Sequence, residues 1–148
     1  MDMDVAGFVE LQQLIEQLGK VPQKVATKAA GAGARIDLTA TKAEAPVYDG
    51  WLKASLKMVG ERASKPGKKV YEITFDRAYN SKLVKTSETG KRSYYPVSQE
   101  FGWKYKNGGY HVGVQYMKNT AEENKSKVEQ KIIDVAKDGI DKVLSQAR

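Results

Sequence analysis

Few residues in this chain have the type and spacing to do chemistry. Cysteine is absent and His111 is the only histidine, which removes disulfides, thiol nucleophiles, thiolate metal sites and any centre built on several imidazoles. No serine or aspartate stands with His111 in a recognisable nucleophile and base arrangement, so it reads as a surface or packing residue. Carboxylates such as Glu100 have no second acid assigned to them by spacing. Two glycine-bearing stretches invite a phosphate-cradle reading and both fail. Gly31-Ala32-Gly33 needs a further glycine where Ile36 stands, and no strand precedes it. Between Gly60 and Gly67-Lys68 lie six residues where a Walker loop has four, and Lys69 occupies the place of its Ser or Thr. Asn124-Lys125-Ser126 matches the N-glycosylation triplet, but it falls on a helical pattern and is read as chance. The expectation is a protein without catalytic residues, cofactor or metal.

What remains is basic and aromatic. From Asn80 to Arg92 the chain is polar, carrying Lys82, Lys85, Lys91 and Arg92 around a single apolar pair, Leu83-Val84, with Tyr79, Tyr94 and Tyr95 on its flanks. It reads as a long flexible loop, residues 80–92, and loops of more than about 12 residues are commonly functional or disordered. One reading makes it a docking arm that orders on a partner, its cations meeting acidic protein or nucleic acid. The other leaves the cations solvated and the tyrosine rings packed at strand ends.

The formal charge of +7 is unevenly spread. Residues 1–50 are net −2, residues 51–110 net +8 and residues 111–148 net +1. Such an excess in the middle suits phosphate, an acidic protein surface or water. A chain of 148 residues with 41% hydrophobic content is expected to make one domain, 1–148, burying roughly 70% of its unfolded surface. It opens Met1-Asp2-Met3-Asp4 without a basic leader, and no apolar run approaches the roughly 20 residues of a membrane span. The expectation is a soluble protein, assembled inside the cell, with no membrane partner.

The elements that position these residues follow from periodicity. Val5, Phe8, Leu11, Ile15 and Leu18 lie at helical spacing before Gly19, predicting a helix over about 4–19. Val21, Val25, Ala29, Ala32, Ile36, Ala40 and Ala43 predict a second over about 21–44, closed by Pro46. Its Ala29-Ala30-Gly31-Ala32-Gly33-Ala34 run costs about 1 kcal/mol per interior glycine, and is read as a surface for close approach of another helix, of the same subunit or a neighbour, with a locally weak or kinked helix as the alternative. Leu56, Met58 and Val59, then Tyr71, Ile73 and Phe75, predict a hairpin joined through Pro66-Gly67. Tyr95, Val97, Gln99 and Phe101 alternate as a third strand, with Pro96 marking an edge or start. Tyr110 to Gln115 makes a fourth after the Asn107-Gly108-Gly109 turn. Thr120 and Glu123 form a capping box, and Val128, Ile132, Val135 or Ala136, Ile140 and Val143 form the stripe of a helix over about 120–146. The predicted fold is α+β: two N-terminal helices, a mainly antiparallel sheet of about four strands spanning 55–115, and a long C-terminal helix packed on the sheet.

One combination is more specific. Ala45-Pro46 leads into Gly50-Trp51-Leu52-Lys53-Ala54-Ser55-Leu56; Tyr95-Pro96-Val97 leads to Glu100-Phe101-Gly102; Ala121 then opens the last helix. This resembles the tail-completion, or head-tail joining, proteins of long-tailed bacteriophages and prophages. The matching positions are Ala45, Pro46, Gly50, Leu52, Lys53, Ser55, Leu56, Tyr95, Glu100, Gly102 and Ala121. The chain departs from the pattern at Tyr116-Met117, where a Pro-Phe-type entry to the last helix is usual, and at Trp103, where a small hydroxyl residue is common. The resemblance implies a non-enzymatic virion structural protein of the neck, forming a homo-oligomeric ring expected to hold six copies, assembled in the host cytoplasm. It implies neck or connector proteins on one side, tail-tube or tail-terminator proteins on the other, and transient non-specific contact with passing DNA. The alternative drawn from the basic middle is a small nucleic-acid-binding module.

Overall fold

The computed structural model describes the backbone of residues 5–146 and the side chains of residue 16 and residues 19–146. The elements are α1 (Val5–Glu44), α2 (Trp51–Ser55), β1 (Leu56–Gly60), β2 (Tyr71–Phe75), a 3-10 turn (Arg77–Tyr79), α3 (Asn80–Leu83), β3 (Val84–Thr86), β4 (Arg92–Tyr94), α4 (Tyr95–Phe101), β5 (Gly102–Lys104), β6 (Tyr110–Val112) and α5 (Tyr116–Gln146). The class is α+β, as the periodicities predict.

The two N-terminal helices are one. Gly19 is not among the positive-φ residues that close a helix, and α1 runs through it and through Pro22. A helix-interior proline costs about 3 kcal/mol in isolation, and packing offsets it here. Val25, one turn beyond, lies against Gly139 of α5, and the Gln23 side chain accepts from Gly67 N at 3.0 Å while donating to the Lys68 carbonyl at 3.2 Å. The first stripe, Val5, Phe8, Leu11, Ile15 and Leu18, lies outside the described side chains.

The small-residue run does bring elements close. A methyl on Gly33 would stand 2.7 Å from Ile132 Cγ1, and one on Gly31 would touch the Tyr71 hydroxyl. Since Gly33 meets Ile132 and Val25 meets Gly139, α1 and α5 run antiparallel. Helix α5 therefore packs chiefly along α1, where packing on the sheet is expected from sequence. The reason is geometric: two long amphipathic helices bury more of each other than short strands can cover.

Of the strands, β1 and β2 pair as expected, from Leu56↔Phe75 to Gly60↔Tyr71. They do not extend into a four-stranded sheet. Among the described residues six strands form three separate antiparallel pairs, β1–β2, β3–β4 and β5–β6. The predicted third strand is helix α4: Pro96 sits in its first turn, where its fixed φ suits a helix and its missing N–H costs nothing. Pro96 and Glu100 face inward while Val97 and Phe101 face out, each pair at i, i+4. The buried core, Ala45, Leu52, Leu56 and Tyr116, lies where α1 ends and α5 begins, with Leu38, Ile73, Phe75 and Tyr95 packed around it.

Helix α5 starts at Tyr116, ahead of the expected Thr120. Thr120 is 1% exposed inside the helix, and among the described residues its hydroxyl has no hydrogen-bond partner, so it caps nothing. Thr120→Val is expected to leave stability unchanged or raise it by up to about 1 kcal/mol. A capping role would instead make the substitution cost about 1 kcal/mol, and urea denaturation separates the two.

Candidate functional site

The positions that carry the resemblance gather at one junction. Ala45 is buried and its N–H closes the last turn of α1 on the Thr41 carbonyl at 2.9 Å, after which Pro46 prevents continuation. Gly50 has φ +79, a left-handed turn that restarts the chain as α2. Leu52, Ser55 and Leu56 then point inward, with the Ser55 hydroxyl donating to the Leu52 carbonyl at 2.8 Å. Tyr95 packs against this core from α4. Lys53 is exposed, and Ala121 lines an open groove between α1, β2 and α5. In that groove burial raises the Asp37 carboxyl above its ordinary value.

Glu100 and Gly102 hold the entry to α5. Glu100 is buried, and its two carboxylate oxygens accept from the backbone of Met117 at 3.0 Å and Lys118 at 3.1 Å. These are the second and third amides of α5, which an N-cap side chain usually satisfies. The residue at that place, Gln115, has φ 52, and its N–H donates to the Glu100 carbonyl instead. Tyr116 lies beside this cap; burial first, then the charge of Glu100, pushes its hydroxyl well above the ordinary phenol value. No short-range motif announces a carboxylate reaching from α4, so sequence reasoning placed Glu100 without its role.

The segment read as a flexible loop over 80–92 is structured: α3, β3, a turn and β4 occupy it. Its expected docking residues divide. Leu83 is fully buried and serves the core. Lys82 Nζ stands 5.3 Å from the Trp51 ring centroid, and Lys85 Nζ lies 3.9 Å from Asp49 Oδ2. Lys82 thus leans on the start of α2 and Lys85 on the turn before it, and Val84 is half-buried on β3. Lys91 and Arg92 alone project into a cleft, together with Lys104 and Lys106 from the β5–β6 hairpin. A flexible segment was expected because isolated polar residues carry no strand signal; Leu83, as an anchor, was its only sign.

Two exposed surfaces lie around this junction. The first is apolar: Val97 and Phe101 on α4 are 50% and 63% exposed, and Val112 and Val114 are 71% and 53% exposed on the chain beside it. The backbones are tied together, since Val114 N donates to the Gln99 carbonyl at 2.8 Å and Gly102 pairs with Val112. The second is the basic cleft. His111 belongs to neither as a catalyst: it stacks on Trp103 at 4.0 Å between centroids, across the strand pair. Among the described residues no group of three or more His, Cys, Asp or Glu is placed to hold a metal ion. Among the described residues no helix is long and apolar enough to cross a membrane. No family model, curated protein or solved structure matches the chain.

Proposed function

We propose that this protein is a structural subunit of the bacteriophage neck, acting in head-tail joining and tail completion as a ring-forming component at the top of the tail. The observation that carries this reading is the role of the signature residues. Ala45, Gly50, Leu52, Ser55, Tyr95, Glu100 and Gly102 all serve one structural junction, as a motif that specifies a scaffold should. The reading also accounts for the apolar face of α4. Four exposed apolar side chains beside a rigid glycine-closed corner suit burial against a second copy in a ring. The other faces then meet a connector protein above and a tail-tube or terminator protein below.

Electron microscopy of the purified protein, alone and mixed with tails assembled without it, tests the reading. Rings, or caps on the upper end of those tails, are expected. A protein that stays monomeric, leaves the tails unchanged, and can be deleted from its phage without separating heads from tails is not a neck subunit. Within that experiment Phe101→Asp is expected to weaken self-association by at least about 100-fold, because a buried Phe contributes on the order of 2–3 kcal/mol and the new carboxylate would be desolvated. The monomer's melting temperature should hardly move, since the side chain lies outside the core. Sedimentation velocity reads the first effect and thermal denaturation the second.

A further inference from the structure

The basic cleft takes no part in the core or in the apolar face proposed for the ring contact. It measures about 710 Å³ and lies between the β3–β4 and β5–β6 hairpins. Its walls carry Lys91 and Arg92 from one hairpin and Lys104, Tyr105 and Lys106 from the other, two strand pairs that share no hydrogen-bonded ladder. The ion pairs among the described residues are Lys57 with Asp76, Lys85 with Asp49 and Lys118 with Glu122, so all four cleft cations are free of acidic partners. The one acid on the rim is Glu88. Four positive charges against one, brought to one exposed cleft from separate elements, make it a favourable place for an anion.

The backbone beneath is fixed. In the first tip Ser87 N donates to the Lys91 carbonyl at 2.9 Å, Lys91 N donates to Ser87 Oγ at 3.1 Å, and Gly90 turns with φ +77. In the second, Tyr105 N donates to the Gly109 carbonyl at 2.7 Å, and Gly108 turns with φ +85. In β5, side chains alternate, so Lys104 lies on the face opposite Trp103, whose ring is already taken by His111. The cleft therefore offers cations on preorganised tips, hydroxyls at Ser87 and Ser93, and a single aromatic ring, Tyr105. Binders of single strands use several aromatic platforms for successive bases. A cleft of cations and hydroxyls suits backbone phosphates instead.

We propose that the cleft between the β3–β4 and β5–β6 hairpins binds the phosphate backbone of double-stranded DNA without reading its sequence. The choice of DNA among polyanions rests on the neck reading; the cleft's preference for an anion does not.

Fluorescence anisotropy of the full-length protein with a labelled 20-base-pair duplex tests it. Neutralising four phosphates gives a log–log salt slope of about −3.6, so affinity should fall about 100-fold between 50 and 200 mM salt. Lys91→Gln with Arg92→Gln, and separately Lys104→Gln with Lys106→Gln, should each reduce the slope to about −1.8. Glu88→Gln should tighten binding by about two- to five-fold through lost repulsion. Lys125→Gln with Lys127→Gln, exposed on α5, should leave binding unchanged. Circular dichroism confirms that each variant is folded. The proposal is overturned by an absence of binding at 50 mM salt, by a slope that neither cleft pair moves, or by equal affinity for a 20-residue polyglutamate or a single strand. Head-tail joining is scored separately by microscopy. Loss of DNA binding with tails still completed would remove this site and spare the neck reading, and the converse would do the opposite.

Discussion

Gly102→Ala is expected to lower stability by more than about 4 kcal/mol, which for a chain of this size lowers the melting temperature by about 10 °C or more. Gly102 ends α4 at φ +89 and ψ −169, a backbone region that is essentially glycine's own and costs other residues about 1–3 kcal/mol. The steric cost adds to this. A Cβ there would lie 1.9 Å from the His111 carbonyl oxygen and 2.7 Å from Gly113 N. Both are backbone atoms and neither can rotate away, so β5 and β6 must separate where Gly102 faces Val112. Gly108→Ala is the matched control. Gly108 has φ +85 with nothing within 4 Å of its added methyl, so only the left-handed cost of about 1–2 kcal/mol remains. Urea denaturation of the two variants measures the difference. If they fall within about 1 kcal/mol of each other, the close approach at this corner is not what holds it.

The same corner explains what could be read from sequence. The β1–β2 hairpin and most of the α5 stripe are legible because their signals are local: side chains alternate in one and repeat at helical spacing in the other, although Ile140 of the expected stripe is 49% exposed. The glycines at 31 and 33 were legible as packing positions, though Ile132 and Tyr71 as the occupants were not. Helix α4 was misread because Tyr95, Val97, Gln99 and Phe101 alternate like a strand, while the residues that face inward are a proline and a glutamate. An apolar pair turned outward inverts the usual pattern, and surfaces kept for partners do that. Gly19 failed as a stop because α1 gains more from lying along α5 than it loses at one glycine and one proline. The cleft was half legible. Lys91 and Arg92 stand in one polar stretch of sequence, but Lys104 and Lys106 join them only through the fold, and Leu83, expected in a docking arm, anchors the core.

Glu100→Ala is expected to cost about 2–4 kcal/mol, and Glu100→Gln roughly half of that. The carboxylate holds two charge-assisted bonds at the positive end of a 31-residue helix. Each such bond contributes about 1.5–3 kcal/mol, partly duplicated by the dipole interaction. Alanine leaves the Met117 and Lys118 amides without a partner in a half-buried place. Glutamine keeps one acceptor but turns a donor toward the other amide. The loss should be local before it is global. Hydrogen exchange at Met117 and Lys118 should speed by about 100-fold or more in Glu100→Ala, the rate equivalent of about 3 kcal/mol. Exchange in the middle of α5, where Ile132 lies against Gly33, should change only by the global destabilisation. Uniform acceleration along α5 would mean that Glu100 supports the core as a whole and not the helix entry. Local acceleration would identify the Glu100-Phe101-Gly102 signature as the device that fixes where α5 begins, and thus how the outward face of α4 is held beside it.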